Sequence, residues 1–203
     1  MAASRVTAEV EEQDELDRRD QILEAANQCF TQLGIQRTSV QDVARMANVS
    51  RGTVYRYFED RTVLIDAAIE FGAQKFYRLV AEAMADRPTL AEKLGAMAET
   101  HARILIDHRT RNRLMADDAE LMRHMISDGD SAVRRSTEFL VPYVREAQKR
   151  GEVGSGVDVT AASEWLARII YSFSTVNEAQ TFDMSKPETV RKYVEKFAVN
   201  GLR

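Results

Sequence analysis

Ser39-Val-Gln-Asp-Val-Ala-Arg-Met-Ala-Asn-Val-Ser-Arg-Gly-Thr-Val-Tyr-Arg-Tyr-Phe58 holds two helix starts and one turn in a single short stretch. Ser39 with Asp42 three residues on is a capping box, in which hydroxyl and carboxylate each satisfy a backbone N–H of the first turn. It opens a short helix whose apolar positions are Val40, Val43, Ala44 and Ala47. Asn48 interrupts it, and Ser50 is an N-cap for a second short helix carrying Val54, Tyr55 and Phe58. Two short helices separated by Ala47-Asn48-Val49 predict a helix-turn-helix, whose second helix enters the major groove of DNA.

The polar residues of the second helix suit that task. Arg51, Thr53 and Arg56 fall away from the Val54, Tyr55 and Phe58 side. Arginine reads guanine O6 and N7 with two hydrogen bonds, and threonine reaches a base edge or a thymine methyl. Gly52 lets the backbone come close to a phosphate. Tyr57 and Thr38 each offer a hydroxyl to a phosphate. Tyr55 reads equally as a core residue with its hydroxyl at the rim or as a phosphate contact. Outside such a motif these polar residues would be an ordinary solvated helix face.

The surrounding helices follow from apolar spacing. Ile22, Leu23, Ala25, Ala26, Cys29, Phe30 and Leu33 form one stripe of a first helix that Gly34 ends. Asp60 caps a helix through Val63, Leu64, Ala67, Ala68 and Phe71 that runs on to about Ala85. After Pro88, the Thr89/Glu92 box starts a helix that lasts to about Asp107. Residues 110–127 hold one or two shorter helices. Another spans about 130–150, with Pro142 expected to kink or split it. A helix begins at Asp158 or Thr160, and a last one at a Ser185/Glu188 box with Pro187 in its first turn. The expected fold is all-α with about nine helices. Residues 1–17 read as a frayed acidic arm, 18–66 as the DNA-binding domain and 67–203 as an effector-binding and dimerisation domain.

Composition agrees with this class and excludes others. The chain has 203 residues, 44% hydrophobic and 30% charged, and its three prolines and nine glycines leave little for the turns of an all-β fold. The single Cys29 excludes an internal disulfide and a cysteine-built zinc site. His101, His108 and His124 are not spaced as a metal site, so no metal and no cofactor is expected. No apolar run approaches the roughly 20 residues of a membrane span, and no secretory signal is visible at the N-terminus, so a cytoplasmic protein is expected. The net charge is −4. Across residues 37–61, Arg37, Arg45, Arg51, Arg56 and Arg61 stand against Asp42, Glu59 and Asp60, a local balance of +2. DNA binding would rest on that patch and on few phosphate contacts, with a steep salt dependence.

The segment from Gly34 to Leu64 resembles the DNA-binding signature of the tetracycline-repressor (TetR) family. The shared features are a glycine after the first helix, a threonine before the second, an Ala-x-Val-Ser turn and a Gly-Thr-x-Tyr reading helix ending in phenylalanine. Asn48 stands where that family usually has glycine, and asparagine tolerates the left-handed region well. Arg61 stands where it usually has a lysine close to the phosphate backbone; the charge is kept but the fork geometry differs. The candidate DNA-binding residues are therefore Arg37, Thr38, Ser39, Ser50, Arg51, Gly52, Thr53, Tyr55, Arg56, Tyr57 and Arg61.

The resemblance further implies a homodimer joined through the last two helices, and a small effector that enters the C-terminal helices and biases the spacing of the two reading heads. The apolar inner faces point to a hydrophobic or amphipathic effector, with Met97, His101, Leu105, Met122, Trp165, Ile169 and Phe173 as candidate contacts. His101 reads alternatively as a core histidine, and the aromatics as core or dimer interface. Two rival readings are an effector-independent DNA-binding protein and a helical enzyme. No nucleophile motif, paired acid–base spacing or phosphate loop supports the enzyme.

Overall fold

A computed structural model describes residues 2–112, 129–176 and 178–202. Among them are eight α-helices and a 3-10 turn, and no strand: α1 Ala2–Leu33, α2 Val40–Met46, α3 Arg51–Tyr57, α4 Arg61–Ala85, α5 Leu90–Asn112, α6 Gly129–Lys149, α7 Val159–Thr175, α8 Pro187–Phe197 and the turn Asn200–Leu202. The all-α expectation holds. Most of the segment expected to carry shorter helices at 110–127, and Met122 within it, lies outside the described residues.

The chain divides into two compact units, Met1–Phe76 and Tyr77–Arg203. In the first, α1, α2, α3 and the start of α4 enclose one core. Ile22, Ala26, Val43, Ala44, Val54, Phe58, Leu64 and Ala68 are all buried there. Cys29 lies in this core at 1% exposure, and burial raises its thiol pKa. The first part of α4 is bound to α1 by Asn27 Nδ2 donating to the Ala68 carbonyl at 2.9 Å and by the Lys75–Glu24 ion pair at 2.6 Å. These bonds tie α4 up to Lys75 to the first unit.

Two further expectations change here. The arm expected to fray is helical from Ala2. Residues 2–17 contain no glycine or proline to break a helix. Pro142 does not end α6. It is exposed, so water reaches the carbonyl that loses its partner to the proline.

In the second unit α5 packs along α8, and α6 along α7. Arg191 of α8 ties the first pair together, with Nε 3.1 Å from Glu99 Oε2 and Nη1 2.8 Å from Glu195 Oε1. The Thr89/Glu92 box caps α5, and Asp158 caps α7 through the Ala161 N–H at 2.8 Å. The Ser185/Glu188 box does not form. Proline drives the residue before it to extended geometry, so Lys186 becomes the cap residue without a side-chain bond. Ser185 Oγ instead donates to Asp183 Oδ1 at 2.6 Å.

Candidate DNA interface

The first helix of the motif, α2, is set by the box expected for it. Ser39 N–H and Oγ both donate to Asp42 Oδ2, at 3.0 and 2.6 Å, and Asp42 N–H returns a bond to Ser39 Oγ. These bonds hold the Asp42 carboxyl below the usual carboxylate range, with nearby Arg45 adding to the effect. At the far end Gln21 Nε2, from α1, donates to the Ala47 carbonyl at 2.8 Å. This fixes the turn to α1, and nothing in the local pattern around Gln21 announced it. Asn48 carries the turn at φ +53°, in the left-handed region, where asparagine is the least strained of the residues with a Cβ. Val49 N–H closes the turn onto the Ala44 carbonyl at 2.9 Å.

The second helix, α3, starts at Ser50, whose Oγ accepts from the Thr53 N–H at 3.0 Å and meets Thr53 Oγ1 at 2.8 Å. Val54 and Phe58 are buried beneath it. Arg51, Gly52, Tyr55 and Arg56 are exposed, and Thr53 and Tyr57 are half-buried. Tyr55, at 40% exposure, therefore belongs to the outer face and not the core. Tyr57 packs against the core with its hydroxyl turned to Arg56 Nη2 at 3.1 Å. Arg19, not anticipated, lies with its guanidinium carbon 5.5 Å from the Phe58 ring centre, a cation–π distance.

Two of the expected phosphate contacts are otherwise engaged. Thr38 is 4% exposed, and its hydroxyl donates to the Gly34 carbonyl at 2.8 Å. Arg61 donates to three backbone carbonyls, from Nε to Thr38 at 3.0 Å and from Nη2 to Ile35 at 2.6 Å and Gln36 at 3.2 Å. Arg37 is exposed and donates through Nε to the Leu33 carbonyl at 2.7 Å. Arg45 is paired with Asp42. Arg51 and Arg56 are left as the outward cations of the reading helix itself.

The described residues among those expected around an effector differ in burial and neighbours. Met97 is buried, and His101, Leu105 and Ile169 are partly so. Burial pushes the His101 imidazole down to about 4, so it is neutral near pH 7. Trp165 is 42% exposed. Phe173 instead joins an aromatic cluster with Phe182 and Tyr193 at 6.4 and 6.3 Å, and Tyr193 leads on to Phe197 at 5.0 Å. Helical periodicity marks a residue as apolar-facing but does not say whether it faces core, cavity or partner.

Two short helices with a left-handed turn, one buried flank and one flank of exposed arginine and tyrosine define a helix-turn-helix DNA-binding regulator. Residues 22–68 match the family model for bacterial regulatory proteins of the tetR family. The chain is 25% identical over 193 residues to the uncharacterized HTH-type transcriptional regulator YhgD of Bacillus subtilis (strain 168), covering 92% of this chain and 97% of that one. It shares its fold with Salmonella enterica GusR, at a TM-score of 0.65 and 22% identity over 92% of this chain and 96% of that one. It likewise shares its fold with the transcriptional regulator FadR from Bacillus subtilis in complex with stearoyl-CoA, at a TM-score of 0.59 and 22% identity over 90% and 98%. Residues 22–68 thus carry the DNA-binding segment of the tetR family, and over most of its length the chain is similar to an HTH-type transcriptional regulator.

Proposed function

We propose that this protein is a homodimeric, cytoplasmic repressor, released from operator DNA when a small hydrophobic or amphipathic molecule occupies its C-terminal unit, and that it is not an enzyme. The observation that carries the reading is the division of α3 into a buried flank, Val54 and Phe58, and an exposed flank, Arg51, Tyr55 and Arg56. In this reading Arg51, Thr53 and Arg56 meet base edges, while Arg37, Ser39, Ser50, Gly52, Tyr55 and Tyr57 meet the sugar–phosphate backbone. Ser50 keeps its capping bond and can still donate its hydroxyl, whereas Ser39, whose N–H and Oγ both donate to Asp42, meets a phosphate only by exchanging that hydroxyl bond.

The homodimer is supported by exposed apolar residues on α7, at its C-cap and on α8. Trp165, Val176, Tyr193 and Phe197 are 42, 60, 37 and 49% exposed, and aromatic residues grouped at a surface mark protein interfaces. The occupant is a second copy of this chain, since two reading heads are needed to bind a two-fold operator. Sedimentation at increasing concentration checks this, and Trp165→Glu with Phe197→Glu should yield a monomer. No helix among the described residues is long and apolar enough to cross a membrane.

Support for the effector comes from the apolar Met97, Leu105 and Ile169 and from the stearoyl-CoA bound by the FadR that shares this fold. A ligand that releases DNA must bind the DNA-incompetent state more tightly. A mobility-shift assay with the region upstream of the protein's own gene, repeated with fatty acids and acyl-CoA thioesters, tests both halves. Retardation of the DNA that such ligands reverse is the expected result. Binding that no such ligand alters would favour an effector-independent DNA-binding protein.

A further inference from the structure

We propose that Arg61 is a positioning residue that locks the α1–α2 connection behind the reading head, and that it does not serve as a phosphate contact; the proposal rests on the DNA-binding reading above. Arg61 is the first residue of α4, yet its bonds reach back 23 to 26 residues. Its guanidinium satisfies the carbonyls of Ile35, Gln36 and Thr38 with Nε and Nη2 alone. A planar fork of fixed N–H directions meets several carbonyls of one bend at once. A lysine ammonium, whose donors radiate from a single point on a flexible stem, cannot hold all three in this arrangement.

The connection has few other ties. Thr38 N–H and Oγ1 both return to the Gly34 carbonyl, at 3.2 and 2.8 Å. The next residue, Ser39, is the cap of α2. Val40, Val43 and Ala44 of α2 share one core with Val54 and Phe58. A loosened connection therefore displaces α2 and, through the shared core, the exposed face of α3. With Nε and Nη2 turned to carbonyls, Arg61 keeps its positive charge but has only Nη1 left to meet a phosphate.

Arg61→Lys and Arg61→Gln separate the two roles. Affinity is measured over a salt series, well below each variant's melting temperature, for a duplex that the wild-type protein selects from a random-sequence pool. Amide exchange at Thr38 and Ser39 is measured without DNA. A positioning role predicts that both variants lose affinity, about tenfold for the loss of bonds to a charged donor, that the slope of log K against log salt stays at the wild-type value, and that both amides exchange faster. The proposal is overturned if Arg61→Lys binds as the wild type while Arg61→Gln flattens the slope by about 0.9, the signature of one lost phosphate contact. It is equally overturned if both variants melt earlier yet bind with unchanged affinity, since Arg61 would then only support the fold. Should the wild type select no duplex, the DNA-binding reading fails, and unchanged exchange at Thr38 and Ser39 in both variants still overturns the lock.

Discussion

Arg51 Nη2 donates to the Tyr55 hydroxyl at 3.1 Å, and the guanidinium carbon stands 5.3 Å from the centre of the same ring. One helical turn separates the two residues, so the tyrosine holds the arginine on the outer face of α3 before DNA arrives. Tyr55→Phe keeps the ring and removes the bond. Stability should change by less than about 0.5 kcal/mol at this exposed site. Operator affinity should fall by about 0.5–1.5 kcal/mol, the net worth of one hydrogen bond. Fluorescence anisotropy with labelled duplex measures it, and an unchanged Kd would remove Tyr55 from the interface.

Arg51→Ala and Arg56→Ala address base recognition directly. Each should cost about 1–3 kcal/mol on the preferred operator and less on unrelated DNA, because a base contact is lost only where the base is present. Repeating the selection of preferred duplexes with each variant should show relaxed preference at one position per half-site. A uniform loss on all sequences would mark that arginine as a phosphate contact.

Gly52 sits exposed in the first turn of α3, where a Cβ would meet only Ser50 Oγ at 3.6 Å. The isolated protein therefore has room for a side chain, while a helical glycine costs roughly 0.5–1 kcal/mol relative to alanine. Gly52→Ala should raise the melting temperature and weaken operator binding, if the missing Cβ leaves space for the DNA backbone. Calorimetry and anisotropy on the same sample test the pair of effects. A variant that is more stable and binds equally well would refute the close approach.

Asn48 at φ +53° makes an opposite prediction for stability. Asn48→Ala should lose about 1 kcal/mol through left-handed strain, while Asn48→Gly should stay within a few tenths of the wild type. Urea denaturation distinguishes the two. Equal stability of all three would mean that the turn readjusts.

His101 sets the acid limb. Its folded pKa, about 4, lies below the ordinary value of 6.5. The unfolded chain therefore takes up a proton at a higher pH than the folded one. Stability from keeping this imidazole neutral is complete above about pH 6.5 and is lost as pH falls towards 4, by up to about 3 kcal/mol at 1.36 kcal/mol per unit. Asp42, with its carboxyl depressed by Ser39, loses its contribution only at lower pH, below the ordinary carboxylate range. His101→Leu should flatten the fall in melting temperature between pH 6.5 and 4. An identical pH profile in the variant would show that other groups carry it.

What the sequence disclosed was local. The Ser39/Asp42 and Thr89/Glu92 boxes, the Ser50 and Asp158 caps and the turn at Asn48 are all written within three or four residues, and the all-α class followed from apolar spacing and composition. What it did not disclose lies where the deciding partner is far away or where two rules compete. The carbonyls held by Arg61 and the Ala47 carbonyl held by Gln21 are more than twenty residues distant. The Ser185/Glu188 box was out of register with the helix start that Pro187 imposes. Tyr55 and Tyr57 both sit on α3, and only the packed core shows that Tyr57 lies against it while Tyr55 faces out.

Cys29 gives the molecule a built-in reporter. It is the chain's single thiol, it is sealed in the core beneath the reading head at 1% exposure, and burial raises its pKa. A thiol reagent will therefore modify only those molecules in which that core has opened, and the labelling rate counts the openings. The same silence leaves the surface free for a second, engineered cysteine on α3, so that a dye there can follow DNA while the native thiol keeps watch on the fold.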